Sequence, residues 1–259
     1  MIYAAVLAGG TGTRMGNTDK PKQFLEFGGR LVIVHTVGRF LACSDIDRVI
    51  VMTPAEWCGY TVEILAKYFE EGVAHADSST CAPGDERGAE IRDARILVAA
   101  GGSTRNETLM NAITVIENAG DLDDETIIVT HDAVRPFVTE RMITENIAAA
   151  KKTGACETAF PATDTIIETD DGQFVTNVPD RSRLWMTQTP QSFRAKKLRE
   201  LYLGLSDSEK EVLTDAARIY VMKGEPVEIV RGESWNIKIT YPQDLEIAEA
   251  ILRRTAESR

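Results

Sequence analysis

Ile2-Tyr3-Ala4-Ala5-Val6-Leu7 runs directly into Ala8-Gly9-Gly10-Thr11-Gly12-Thr13-Arg14-Met15-Gly16, and Pro21-Lys22-Gln23-Phe24 follows. An apolar strand ending in glycines lets backbone amides approach a ligand closely and offers them to negative charge. Arg14 and Lys22 add two fixed positive charges at the same end of the sheet. This arrangement suits a nucleoside triphosphate better than a dinucleotide, whose fingerprint is Gly-x-Gly-x-x-Gly. Neither that fingerprint nor Gly-x-x-x-x-Gly-Lys-Ser/Thr is present. Turn chemistry alone explains a glycine loop equally well. The two cations, with polar signals farther along the chain, favour phosphate handling.

Outward from this stretch the chain alternates. Residues 2–7, about 47–52, 95–99 and 126–130 read as short buried strands, with helices expected near 31–42, 55–70 and 104–119. A further helix is expected over 139–152 with Thr139 as its cap, and strands near 155–160 and 226–230. The C-terminal helix carries Leu245, Ala248, Ile251 and Leu252 on one stripe. This rhythm predicts an α/β fold: a mostly parallel sheet with helices on both faces. Two regions break it. Residues 75–93 are polar and read as an exposed loop without a catalytic role. Residues 161–185 contain two alternating runs joined by Asp170-Asp171-Gly172, which predicts a hairpin projecting as a β-arm. A dimerisation arm and a surface excursion packed on its own subunit fit that pattern equally.

The whole chain sets outer bounds. Its 259 residues fit one large α/β domain or two small ones and are read as a single domain, 1–259, with the arm at about 161–185. The formal charge of −11 and the absence of Lys/Arg runs argue against a nucleic-acid partner. A few cations focused in a cleft still bind phosphate in an acidic protein. No stretch is long enough to cross a bilayer, and the first apolar run is too short for a secretory signal, so a cytoplasmic protein without membrane contact is expected. Cys43, Cys58, Cys81 and Cys156 lack paired metal-ligand spacing and read as reduced thiols.

The binding crevice of such a sheet lies at the carboxyl ends of its strands, where loops 8–16, 101–108 and 131–136 would converge. In Gly101-Gly102-Ser103-Thr104-Arg105-Asn106-Glu107-Thr108, Ser103 is read as a helix cap. Thr108 either contacts nucleotide or packs its helix. Asp132 can hold a divalent cation bridging phosphates and Arg135 an anionic group, or the two form a structural pair with His131 as a buried hydrogen-bonding residue. Lys238 sits in the alternating run Asn236–Thr240 near an expected sheet edge, where an isolated lysine is ordinarily solvated. Trp185 and Trp235 fit core or interface positions as well as a cleft.

Leu7–Gly16, Pro21–Phe24, Thr130–Phe137, Asp180-Arg181, Leu184-Trp185, Gln188–Phe193 and Asn236–Thr240 together resemble the IspD/TarI-like cytidylyltransferases, in order and over nearly the whole chain. The Leu-Ala-Gly-Gly opening and Thr130–Phe137 look closer to the ribitol-5-phosphate branch. The 2-C-methyl-D-erythritol 4-phosphate branch is the alternative acceptor, and a non-enzymatic nucleotide-binding regulatory module the alternative class.

The resemblance implies a Rossmann-like sheet and a homodimer whose arms complete neighbouring active sites. It implies transfer of CMP from CTP to a polyol or sugar phosphate, with CDP-ribitol and diphosphate as products in a teichoic acid or surface polysaccharide pathway. Arg14 and Lys22 would act on the triphosphate. Ala8, Gly9, Gly10, Gly12, Gly102 and Thr108 would bind the nucleotide, and Asp132 would organise Mg²⁺. Arg135, Thr165 and Lys238 would surround the acceptor, with Arg181 arriving from the partner's arm. The segment 75–93 looks longer than the corresponding connection in many relatives.

Overall fold

The computed structural model describes residues 1–10, 15, 20–76 and 93–257. Gly12 and Arg14, and most of the 75–93 segment, therefore lie outside the described residues.

Strands β1 (Ile2–Leu7), β4 (Arg48–Thr53), β5 (Val73–His75), β6 (Ile96–Ala100), β7 (Ile127–Asp132), β8 (Ala155–Pro161), β9 (Trp185–Arg194) and β10 (Glu228–Arg231) form one sheet. Its order is β10-β8-β9-β7-β1-β4-β6-β5. Neighbours are parallel except around β9, which runs antiparallel to both β7 and β8. A small antiparallel pair, β2 (Glu26–Phe27) and β3 (Arg30–Leu31), stands apart from it.

The central strands β1, β4 and β6 are largely apolar because both faces are covered. Ala4, Val6, Val49 and Val51 face α1 (Val32–Leu41), α2 (Cys58–Tyr68) and α4 (Glu140–Thr153). Their neighbours Tyr3, Ala5, Ile50 and Met52 face α3 (Arg105–Asn118), α5 (Ala195–Leu203) and α7 (Ala217–Met222). A third cluster seats α8 (Gln243–Glu257) through Ala248 on Phe27, Val134, Phe137 and Ile239. The short α6 (Asp207–Glu211) opens with a Ser206–Glu209 capping box. Thr139 caps α4 as expected, accepting from the Met142 amide. Gly154, at φ 91°, ends the same helix in the left-handed region and turns the chain into β8.

The early alternation matches the expected elements, and several later ones differ. Residues 236–240 form no strand, so Lys238 is not on a sheet edge. His75 ends β5 rather than opening a loop. Strand β9 was not foreseen, because Pro190 and its polar neighbours break the usual pattern of a central strand. The helix after the Gly101-Gly102 turn is capped by Thr104, not Ser103. The Thr104 side chain accepts from the Glu107 amide while the Glu107 carboxylate reaches back to the cap.

Between β8 and β9 the chain makes the expected excursion. Glu168 and Asn177 pair as an antiparallel bridge. The Asp171 carboxylate accepts from the amides of Gln173 and Phe174 at 2.8 and 3.0 Å, closing the turn. Ile167, Phe174, Val175 and Val178 are exposed along it. No helix among the described residues is long and apolar enough to cross a membrane.

Candidate active site

The carboxyl ends of β1 and β7, the turn after β6 and the segment before α8 surround a cavity of about 290 Å³. Ala8, Gly9, Gly10 and Lys22 form one side, and Gly102, Arg105 and Thr108 another. Asp132 and Lys238 complete it. The described parts of the three loops expected to converge do so, and Lys238 joins them from the far end of the chain.

Each wall is held by side chains that do not themselves need a ligand. Gln23 donates from Nε2 to the Ala8 carbonyl at 2.6 Å and fixes the start of the glycine loop. Lys22 is almost fully buried and donates from Nζ to the Ile239 carbonyl at 3.0 Å. The Thr108 hydroxyl accepts the Gly102 amide at 3.0 Å and donates to the Thr104 carbonyl at 2.8 Å. It therefore shapes the Gly102 turn from behind, and Gly102 cannot gain a Cβ without meeting Glu107 at 2.5 Å.

Asp132 is the electrostatic centre. It is the one carboxylate among the described residues that line the cavity. Arg105 binds Oδ1, Lys238 Nζ lies 2.8 Å from Oδ2, and Arg135 Nε lies 3.7 Å from Oδ2. Burial alone would raise its pKa; the charges of Arg105, Lys238 and Arg135 outweigh burial and hold it far below the usual carboxylate range. A carboxylate held ionised in the lining of this cavity suits Mg²⁺, which keeps several waters and takes one or two carboxylates beside substrate phosphates. Among the described residues no cluster of three or more His, Cys, Asp or Glu offers an all-protein metal cage. Asp132 would hold the ion, and the ion would supply charge neutralisation at the phosphates.

His131 is wholly buried, with Nε2 2.9 Å from the Arg135 carbonyl. Burial pushes its pKa down to about 4, so it is neutral and only weakly basic, and its ring is tied to the backbone. Arg135 does not line the cavity; it donates to the Asn236 carbonyl at 2.8 Å and stands behind Asp132. Thr165 and Arg181 lie on the exposed excursion, away from this chain's own cavity, where Arg181 donates to the Thr163 carbonyl at 2.9 Å. Cys43, Cys58 and Cys156 are buried free thiols.

Sequence reasoning missed Arg105 and Gln23. Arg105 occupies the first position of α3, two residues beyond Ser103, but its partner Asp132 is 27 positions away. The glutamine gives no signal except its place after Lys22.

A sequence model described as IspD, 2-C-methyl-D-erythritol 4-phosphate cytidylyltransferase, matches residues 2–254. Solved structures agree with it. 4-Diphosphocytidyl-2C-methyl-D-erythritol synthase from Anaerococcus prevotii superposes with TM-score 0.72 at 28% identity, covering 97% of this chain and 96% of its own. The 2-C-methyl-D-erythritol 4-phosphate cytidylyltransferase from Thermus thermophilus gives 0.67 at 26% identity, over 98% and 100%. The Francisella tularensis protein of the same description gives 0.71 at 25%, over 95% and 97%. These matches overturn the ribitol-5-phosphate branch, its CDP-ribitol product and its teichoic acid setting. Ala8–Gly10 and Asp132–Val134, from the two segments that pointed there, line the cavity, and groups suited to phosphate do not separate two phosphorylated acceptors. With residues 2–254 matched to that model, the chain belongs to the IspD family and is a CTP-dependent, Mg²⁺-using cytidylyltransferase.

Proposed function

We propose that the acceptor is 2-C-methyl-D-erythritol 4-phosphate, and that residues 1–259 act as one nucleotidyltransferase domain. An oxygen of the acceptor phosphate forms a bond to the α-phosphorus of CTP. The bond from that phosphorus to the α–β bridging oxygen breaks, and diphosphate leaves. The phosphate is already anionic near neutral pH, so no general base is required. The reading is carried by the family match over residues 2–254, whose description names this acceptor.

The residues divide the work by charge. Lys22 meets the triphosphate, and Arg14 takes the same part on sequence grounds. Ala8, Gly9, Gly10, Gly12 and Gly102 offer backbone to the nucleotide, with Thr108 holding the Gly102 turn. Lys238 meets the acceptor phosphate, with Arg135 adding charge from behind the wall. Purified protein with CTP and Mg²⁺ is expected to release diphosphate with methylerythritol phosphate at a far higher kcat/KM than with ribitol 5-phosphate. Equal rates, or turnover with ribitol 5-phosphate alone, would remove the acceptor assignment.

We further propose a homodimer in which Arg181 and Thr165 serve the neighbouring subunit's cavity. The support is their distance from their own cavity and the exposed Phe174, Val175 and Val178 beside them. Removing a well-placed cation such as Lys22 costs about 3–4 kcal/mol at the transition state, roughly 10²–10³-fold in rate. Mixing Lys22→Ala subunits with Arg181→Ala subunits is expected to restore one intact site per mixed dimer. Verified mixed dimers without recovery would show that Arg181 does not act in trans.

A further inference from the structure

Residues 232–240 carry Lys238 into the cavity without belonging to the sheet. Their polar backbone groups are instead held largely by side chains from elsewhere. The Gln188 carboxamide, on β9, does most of this at the start of the segment. Its Nε2 donates to the Glu233 carbonyl at 2.9 Å, and its Oε1 accepts the Glu233 amide at 3.2 Å. Read together, these two bonds copy one rung of a β-ladder, with a side chain in place of a strand. The same Oε1 lies 3.4 Å from Asn236 Nδ2, which also donates to the Thr189 carbonyl at 2.9 Å. Asn236 is wholly buried, so these bonds are shielded from competing water.

The adjoining residue on β9 grips the other half of the Lys238–Asp132 pair. Thr189 Oγ1 accepts the Asp132 amide at 3.1 Å. Consecutive residues of one strand thus hold the backbone of Asp132 and the segment bearing its lysine partner. Gly232 completes the arrangement. A Cβ there would sit 2.3 Å from Gln188 Oε1, so the missing side chain is what lets the carboxamide reach the backbone.

We propose that Gln188 is a positioning residue for Lys238, setting the ammonium where it meets the acceptor phosphate. The inference rests on the acceptor role given to Lys238 above. Gln188 touches neither substrate; it acts only through the segment 232–240.

Steady-state kinetics on Gln188→Ala, Lys238→Ala and the double variant test it, with thermal unfolding to confirm folding. Gln188→Ala is expected to lower kcat about tenfold with KM for CTP within about twofold, and the double variant to be no slower than Lys238→Ala alone. Gly232→Ala displaces the carboxamide without removing it. It is expected to show the same loss and the same lack of additivity, and it stands in should Gln188→Ala fail to fold. Multiplying losses, or wild-type kcat in Gln188→Ala and Gly232→Ala beside an impaired Lys238→Ala, would overturn the positioning role alone. Wild-type turnover in Lys238→Ala would overturn the acceptor role of that lysine, and the inference with it.

Discussion

Glu157, on β8, holds a charge in a place that does not favour one. Its carboxylate accepts from Thr187 Oγ1 and from Gln191 Nε2, the latter at 2.8 Å. Burial raises its pKa and Asp215 adds to the rise, while the bonds from Thr187 and Gln191 and the charge of Arg105 only partly oppose it. A carboxyl whose folded pKa exceeds its unfolded value stabilises the fold fully below the unfolded pKa. That contribution is lost as pH rises through the folded pKa. Glu157→Gln keeps an acceptor for Thr187 and Gln191 and removes the charge. Its unfolding midpoint is expected to exceed the wild-type value at pH 8 and to converge with it in acid. The gain should not exceed about 1 kcal/mol, since part of the group keeps its water. A difference independent of pH would refute this account. Glu157 gave no sign of itself in sequence, and neither did Arg105, Gln188 or Asn236. Each matters through one partner brought near by the fold. Lys22, Asp132 and Gly102 were legible as cavity-lining residues because Asp132 and Gly102 stand at or just beyond strand ends and Lys22 follows the glycine-rich stretch.

At the scale of elements, the first half of the chain was readable because local pattern and burial agree there. Apolar runs of five or six residues, such as Ile2–Leu7 and Ile96–Ala100, become strands covered on both faces. The cap of α3 was present in the sequence but assigned one residue early. Both Ser103 and Thr104 bear a hydroxyl, yet only Thr104 has a glutamate three positions on. The stretch 195–222 resolves into three helices that single-stripe reasoning had passed over. Strand β9 is the instructive miss. Its Thr-Gln-Thr-Pro-Gln-Ser run is polar, but Thr189 serves Asp132 and Gln188 serves the segment after β10. Gln191 serves Glu157, and the Pro190 carbonyl accepts from Thr158 at 2.7 Å. Most of its polar side chains are spent on neighbours, and no sequence period reports that.

At the scale of the whole molecule, a chain of formal charge −11 gathers Lys22, Arg105, Arg135 and Lys238 around one cavity and its single described carboxylate. The other described acidic residues do not line it, which leaves the cavity as a local positive focus for polyphosphate. The same cations suit any acceptor that carries a phosphate, so the family was legible in the residues and the branch was not. The excursion between β8 and β9 has its own consequence. Pro161 pairs with Trp185, and the Ala162 amide donates to the Leu184 carbonyl at 3.0 Å, so the chain leaves and re-enters the sheet at adjacent points. The excursion is in effect a cassette whose two ends are already joined, and a shorter closure costs less entropy than the one it replaces. Replacing residues 163–183 by an Asn-Gly turn is expected to give a folded monomer that still binds CTP by calorimetric titration yet no longer transfers its nucleotide. Loss of CTP binding in that variant would mean the sheet depends on the cassette. Retention would make the cassette a part that can be exchanged, so that the reach and chemistry of the arm could be redesigned without rebuilding the cavity it serves.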